Sequence, residues 1–483
     1  MKLSNSCLWL ALYACMSTVS AQMQRTFSAA ASEHQAYTLE LSTLASEGFT
    51  TFSHPAFPGR SARIKKSNFC DGGVASYTGY IDVGPKHLFF YFFESRSNPE
   101  TDDVILWTNG GPGGSSATGL LMELGPCLIA SVNSTKYNPY SWNSNANIFF
   151  IDQPIGTGYS YHDMGDIVST TEDAAQDIAA FVAMFFETFS KFKGRGFHLA
   201  GESYGGRYIP IFGAAVYDQN PTLIVKGLTP VNLKSVMIGN GATDFFALLR
   251  SYYDMQCTNA GIGPLVPISA CVHIKKVLPR CEQLQQKSCI EHFDLIDCNA
   301  AFTFCQSEIG MPYINAGYNV YDMSMKCDGL SCYPETNNID AYLNDPSVRK
   351  KLGINTPHNF TSIAYDVNNA FWATGDPLHE TQQYLVELLA RRVKVLVYAG
   401  SYDFICNWLG NERWTLKMDW PGREAFSNTP LTEWIVGGEP AGKTRQSGNL
   451  SFATIYGAGH LAPHDKPIQS LAMLQRWLAD EPF

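Results

Sequence analysis

Between Tyr77 and Asn109 the apolar positions cluster in short runs rather than recurring at helical spacing: YTGYIDV, LFFYFF and VILWTN. Runs so dense in aromatic and β-branched residues predict strands, the first two as a hairpin. NIFFIDQP (147–154) predicts a further strand, whereas TEDAAQDIAAFVAMFFETF after it predicts a helix. FHLAG and VKVLVYAG are again short and continuously apolar, with helical patterns between them, and SFATIY is strand-like. Strands of that kind are buried on both faces. The fold class expected is α/β, a mostly parallel sheet covered by helices.

Residues 240–340 break this rhythm. They carry eight cysteines (Cys257, Cys271, Cys281, Cys289, Cys298, Cys305, Cys327 and Cys332) and no long apolar strand run. A disulfide-stapled, mainly helical insertion is expected there. It would divide the α/β core into a first part, 61–239, and a second, 341–483. Residues 22–60 show no clear periodicity and read as an N-terminal arm or a pro-segment. Residues 1–21 combine a lysine, an apolar run from Cys7 to Met16 and a small-x-small ending at Ala21. That is the pattern of a secretory signal, too short to span a membrane. No later run reaches about eighteen apolar residues. The expectation is a soluble protein of the secretory pathway, extracellular or vacuolar, with no membrane partner.

Composition changes this picture little. With 45% apolar residues in 483 the chain can bury a large core, and its 16% charged residues argue against disorder. The formal net charge is −10 and the longest basic cluster is RIKK, Arg63 to Lys66. Nucleic acid is therefore not an expected partner. Removing the signal would remove Cys7 and Cys15 and leave eleven cysteines, which suits five bridges and one free thiol in an oxidising compartment. Three glycosylation sequons begin at Asn133, Asn359 and Asn449. There is no C-x-x-C pair, and no metal or organic cofactor is expected.

The chemistry centres on FHLAGESYGGRYIP, where Ser203 stands in a G-x-S-x-G pattern between an apolar strand and a helix-like stretch. Strand, sharp turn and helix are what a nucleophile elbow requires, and glycines flank the serine because side chains there would clash. A serine needs a histidine to take its proton and a carboxylate to orient the imidazole. Asp403 follows the buried run VKVLVYAG, and His460 follows SFATIY between small residues; His464, next to Asp465-Lys466-Pro467, reads as a surface residue. A second glycine cluster, WTNGGPGGSS, matches neither the phosphate-loop nor the dinucleotide pattern. It reads either as a plain turn or as an oxyanion loop, with Gly111 and Tyr204 as backbone donors.

WTNGGPGGSS, DQPIGTGYSY, GESYGGRYIP, YAGSYDFICNWLGN and GAGHLAP occur in that order. Together they resemble the serine carboxypeptidase family, α/β-hydrolases that remove single residues from peptide C-termini. The resemblance implies a catalytic triad of Ser203, Asp403 and His460, with Asn109, Gly110, Glu123 and Glu202 holding the terminal carboxylate. It implies peptide and protein C-termini as partners; a monomer or homodimer is expected, with Thr118, Met122 and Leu461 lining the leaving-residue side of the pocket and Pro377 and Cys406 the other. It also implies the bridges Cys70–Cys127, Cys257–Cys271, Cys281–Cys305, Cys289–Cys298 and Cys327–Cys332, leaving Cys406 free. One departure stands out. Most members have a bridged cysteine after G-G-P-G; here Gly114 occupies that place, and Ile363 by spacing the place of its partner. An esterase or acyltransferase using the same triad, and a catalytically silent scaffold, are the competing readings.

Overall fold

The computed structural model describes residues 40–70, 73–163, 165, 167–327 and 332–483. The expected signal peptide, and the arm up to residue 39, lie outside them. The strands in chain order are β1 (Thr50–Ser53), β2 (Arg60–Ser67), β3 (Ser76–Val83), β4 (Lys86–Phe93), β5 (Val104–Thr108), β6 (Cys127–Ser131), β7 (Ser134–Tyr137) and β8 (Asn147–Ile151). They continue with β9 (Tyr161–His162), β10 (Gly196–Ser203), β11 (Asn232–Gly241), β12 (Lys394–Gly400), β13 (Thr432–Val436), β14 (Glu439–Ser447) and β15 (Leu450–Ile455). Among the described residues one sheet runs β1-β2-β3-β4-β8-β5-β10-β11-β12-β15-β14-β13, with β9 on β4; β6 and β7 form a separate hairpin.

The centre, from β8 to β15, is parallel throughout. Its strands are buried almost end to end, which is why they read as continuous apolar runs rather than alternating ones. Both wings are antiparallel. The helices Thr171–Thr188 and Gly205–Asp218 pack together beside the sheet. The first of them begins where Thr170 accepts a hydrogen bond from Asp173 N–H, with Glu172 and Asp173 in its first turn. Phe90, Phe149, Phe181 and Phe185 interleave edge-to-face between that helix and the sheet.

Several elements differ from the sequence reading. The arm contributes a strand, β1, paired with β2, and the basic RIKK segment is itself part of β2. There Arg63 is held by Asp82 at 2.7 Å and Lys65 is buried. Residue 240 falls inside β11, so the expected boundary cuts a central strand. The chain leaves the sheet after Gly241 and re-enters it at Lys394, a longer excursion than 240–340. Its cysteine-rich part is built from the helices Phe245–Cys257, Ile268–Gln285 and Leu295–Cys305, with short helical turns after them. The bridges are Cys70–Cys127, Cys257–Cys271, Cys281–Cys305, Cys289–Cys298 and Cys327–Cys332, and Cys406 is free and buried.

Gly114 and Ile363 sit opposite one another in an isolated antiparallel bridge. Ser115 N–H donates to Ser362 O at 2.9 Å, and Ala364 N–H donates to Gly113 O at 2.8 Å. This makes Gly114/Ile363 a non-hydrogen-bonded pair, whose Cα atoms ordinarily lie about 4.5 Å apart, within a disulfide's reach. The backbone thus joins the two positions without sulfur. The double variant Gly114→Cys/Ile363→Cys should form a bridge that stabilises the fold by about 1–3 kcal/mol. Thermal melting with and without reductant, together with thiol counting, checks this; an unbridged pair or an unchanged midpoint would count against it.

Candidate functional site

Ser203 is the last residue of β10 and has φ 59°, the left-handed region that a residue other than glycine or asparagine rarely adopts. The helix Gly205–Asp218 starts two residues later. Close packing enforces the turn. A Cβ on Gly201 would lie 2.9 Å from Thr108 O, and one on Gly206 would lie 2.5 Å from Ala242 N. The second flanking glycine of the motif, Gly205, behaves differently: its Cβ would meet only Thr108 O, at an ordinary 3.5 Å. Steric need therefore falls on Gly201 and Gly206, not on Gly205 as the motif suggests.

Asp403 and His460 come from the turns after β12 and β15, strands that are neighbours in the sheet. Their side chains meet, Nδ1 of His460 to Oδ2 of Asp403 at 2.8 Å, both buried. Two further donors fix the carboxylate: Asn240 Nδ2 reaches Oδ2 at 2.8 Å and Cys406 N–H reaches Oδ1 at 3.2 Å. Asn240 has φ 43° and also accepts from Gly400 N–H at 3.1 Å. Sequence reasoning missed it because β11 itself was missed; the N-G pair at its end was the available signal. Cys406 joins Asp403 and His460 in a group whose donor atoms lie within 4.8 Å of one another. Burial, then the Asp403 charge, push its thiol well above the ordinary value, so it stays protonated. His464 is half-buried rather than a surface residue, with Nδ1 2.8 Å from Asp465. That bond, above all, raises its pKa.

Asn109, just past β5, is oriented without ambiguity. Its Oδ1 accepts from Trp107 Nε1 at 2.8 Å and from Gly119 N–H at 2.9 Å, so its amide nitrogen faces the other way. That nitrogen donates to Glu202 Oε1 at 2.7 Å and to Glu123 Oε1 at 3.3 Å. Glu123 lies on the single wide helical turn Gly119–Glu123 and Glu202 on β10 beside Ser203; both are buried. Burial, then the charge of Glu123 and a hydrogen bond to it, then Asp403, push the Glu202 carboxyl well above the usual range. Burial also raises Glu123, opposed by hydrogen bonds from Glu202 and Asn109. Burial raises both carboxyls, so the pair holds a shared proton.

The glycine loop closes on the same place. A Cβ on Gly110 would lie 2.3 Å from Tyr204 N and 2.8 Å from Ser203 Cβ, so the loop backbone rests directly on the serine turn. Gly111 has φ 114° and is followed by a cis peptide to Pro112. Ser115 Oγ donates to Asp152 at 2.5 Å, tying the loop to the turn after β8. Burial pushes the Asp152 carboxyl up to about 6 despite that bond.

A cavity of about 360 Å³ opens here. Asn109, Gly110, Gly111, Glu202, Ser203 and His460 reach its wall, as do Thr118 and Leu461 among the expected pocket residues. Met122, Pro377 and Cys406 do not line it; each is buried. Sequence reasoning missed Tyr321 and Tyr333, whose rings lie 5.7 Å apart; the Tyr321 ring is 5.2 Å from that of His460. They belong to the cysteine-rich excursion, where no pattern marks a residue as facing a cavity. Ile363 and Tyr365 complete its rim, both exposed.

The serine carboxypeptidase family pattern matches residues 69–480. The chain is 41% identical to carboxypeptidase Y of Candida albicans over 411 residues, 84% of this chain and 74% of that one. It is 40% identical to a vacuolar serine-type carboxypeptidase of Saccharomyces cerevisiae over 441 residues, 89% of this chain and 85% of that one. The crystal structure of Kex1, a prohormone-processing carboxypeptidase from Saccharomyces cerevisiae, superposes with a TM-score of 0.71 at 24% identity. It covers 88% of this chain and 92% of that one, and shows a shared α/β-hydrolase fold. With the family pattern spanning residues 69–480 and such identities over most of its length, the chain belongs to the serine carboxypeptidase family.

Proposed function

We propose that this serine carboxypeptidase releases single C-terminal residues through an acyl-enzyme on Ser203, with preference for acid. His460 takes the serine proton, Asp403 orients the imidazole, and the N–H groups of Gly111 and Tyr204 receive the developing oxyanion. The observation that carries the reading is the buried Glu202–Glu123 pair under Asn109, one residue from Ser203. A neutral ester has no use for such a pair, which sets the esterase and acyltransferase reading behind. A peptide's terminal carboxylate does use it. Protonated Glu202 can donate a hydrogen bond to that carboxylate, with Asn109 and the Gly110 N–H beside it.

In this reading the substrate is a peptide or protein C-terminus and the enzyme works in the secretory pathway, in a vacuole or outside the cell. Asn133, in the β6–β7 turn, and Asn359 are exposed, and Asn449, in the β14–β15 turn, is half-exposed; all three sequons are proposed glycan acceptors. No helix among the described residues is long and apolar enough to cross a membrane.

Incubation with N-blocked dipeptides at acid pH should release the free C-terminal amino acid. A serine-directed fluorophosphonate should abolish that release by labelling Ser203, and release that persists after full labelling would exclude the acyl-enzyme.

The pH dependence follows from the raised Glu202 pKa. Below it the pair holds a proton and binds the substrate carboxylate; above it the pair is doubly charged and repels that carboxylate. KM for a peptide acid should therefore rise from acid to neutral pH, while KM for the matching peptide amide rises less. Parallel KM–pH curves for the two substrates would rule the mechanism out.

Glu202→Gln/Glu123→Gln keeps a hydrogen-bond donor at each position and removes the titration. Its KM for peptide acids should vary little across the same interval. A slope equal to that of the parent enzyme would take both residues out of the role.

A further inference from the structure

The two proposed oxyanion donors come from different places, Gly111 from the loop after β5 and Tyr204 from the turn after β10. Gly110 packs on the Tyr204 nitrogen, but Gly111 and Tyr204 themselves lie on separate stretches of chain. Both are nonetheless held by one segment of the long excursion between β11 and β12: the helix Tyr365–Thr374 and its flanks.

On one side this segment grips the glycine loop. Ala364 N–H donates to Gly113 O at 2.8 Å, and Asn368 Nδ2 donates to Pro112 O at 3.0 Å. The approach is close enough that a Cβ on Gly113 would sit 2.6 Å from Ala364 O.

On the other side the helix ends at Gly375, φ 74°, and the next residue is Asp376. The Asp376 carboxylate accepts from the Tyr204 hydroxyl. It also accepts from Arg207 Nε at 2.7 Å and Nη2 at 3.1 Å, and from Thr171 N–H at 2.8 Å and Oγ1 at 2.7 Å. Asp376, Arg207, Thr171 and Tyr204 are all buried. Arg207 Nη1 continues the network to His379 O at 2.8 Å, and the His379 ring stacks on Phe293 of the cysteine-rich part at 3.9 Å.

We propose that Asp376 is a positioning residue for the Tyr204 N–H, and that the segment Ala364–Asp376 sets the spacing of the oxyanion site by holding both of its halves. The inference rests on the reading of Gly111 and Tyr204 as oxyanion donors. Tyr204 immediately follows the strained Ser203 and opens the helix Gly205–Asp218, so a side chain fixed at its far end adds a hold on the Tyr204 N–H beyond the backbone bonds of the turn. The Tyr204 ring does not reach the cavity wall, and the hydroxyl contact with Asp376 contributes nothing to substrate contact. The chemistry is hydrogen bonding in a buried, charged network. Geometry held that way is rigid because both Asp376 oxygens accept hydrogen bonds from several buried donors.

Tyr204→Phe is the decisive variant, since it deletes one oxygen and leaves the buried Arg207–Asp376 pair intact. Deleting an oxyanion donor outright costs about 10²–10³-fold in kcat, so a misdirected one should cost roughly tenfold or more. The expected result is that loss in kcat, corrected for active-site concentration, with KM for a peptide acid and its pH profile unchanged. Asn368→Ala, acting on the other half, should lower kcat in the same manner. A Tyr204→Phe enzyme with the parent's kcat, or with its loss confined to KM or to the folded fraction, would overturn the proposal. Ser203→Ala separates the two levels. If it abolishes amino-acid release while Tyr204→Phe is unaffected, the positioning role fails and the carboxypeptidase mechanism stands. If release by the parent enzyme is absent, the mechanism fails first.

Discussion

The sheet must end at Ser203 in a conformation that its own backbone resists, and much of the site is arranged around keeping it there. A residue at φ 59° costs about 1–3 kcal/mol and persists only where its surroundings over-determine it. Here they do. Gly201 and Gly206 let Thr108 and Ala242 approach the turn, Ala242 N–H bonds to Ser203 O at 2.8 Å, and the glycine loop packs against Tyr204 N through Gly110. The strain projects the hydroxyl beyond the strand end into the cavity. Parallel strands are essential to this, because β12 and β15 end on the same edge and deliver Asp403 and His460 to it.

The same edge explains why two acids can be buried beside a site that develops negative charge. Glu202 is placed by strand geometry, since its neighbour must be Ser203, and it is buried at the cavity wall. Its cost is lowered by the proton the pair shares and by Asn109, whose orientation is locked by Trp107 and Gly119. A half-satisfied pair of carboxylates would be strongly destabilising in such surroundings; a proton-sharing pair is tolerable. The chemistry of recognition and the electrostatics of burial thus require the same protonation state. In the proposed mechanism acid preference is then a property of the architecture rather than an adjustment to it.

What could be read in the sequence was what depends on local pattern. Doubly buried strands such as VILWT and VKVLVYAG announce themselves as apolar runs, and Ser203, Asp403 and His460 each follow one. Segments whose role depends on distant packing stayed hidden. β11 begins with the alternating NLKSVM and then runs into I-G-N-G, so neither a continuous run nor a turn stood out, and Asn240 was lost with it. β1 is a short edge strand with exposed positions. Lys65 has a basic side chain in a strand core, contrary to the usual preference, because its ammonium reaches Lys350 O at 3.5 Å. Tyr321 and Tyr333 belong to the cavity through long-range folding of the excursion alone.

That excursion does two jobs with different tolerance for change. Its cysteine-rich helices fill an apolar cluster around Leu248, Tyr252, Cys281, Cys305 and Tyr313 that also takes in Phe404 and Cys406 beside Asp403, so their sequence can drift only as long as that cluster is filled. Residues 362–376 have no such freedom. They pair with the glycine loop through Gly114 and Ile363 and hold Tyr204 through Asp376, contacts made largely by backbone groups and one carboxylate. Loss of a tethering disulfide at Gly114 and Ile363 is tolerable for this reason. The bridge between the two segments is already made by paired peptide groups, and the Arg207–Asp376 pair at the far end of the following helix holds the segment down. A covalent link would mainly restrict the unfolded chain, whereas the hydrogen-bonded clamp shapes the folded site.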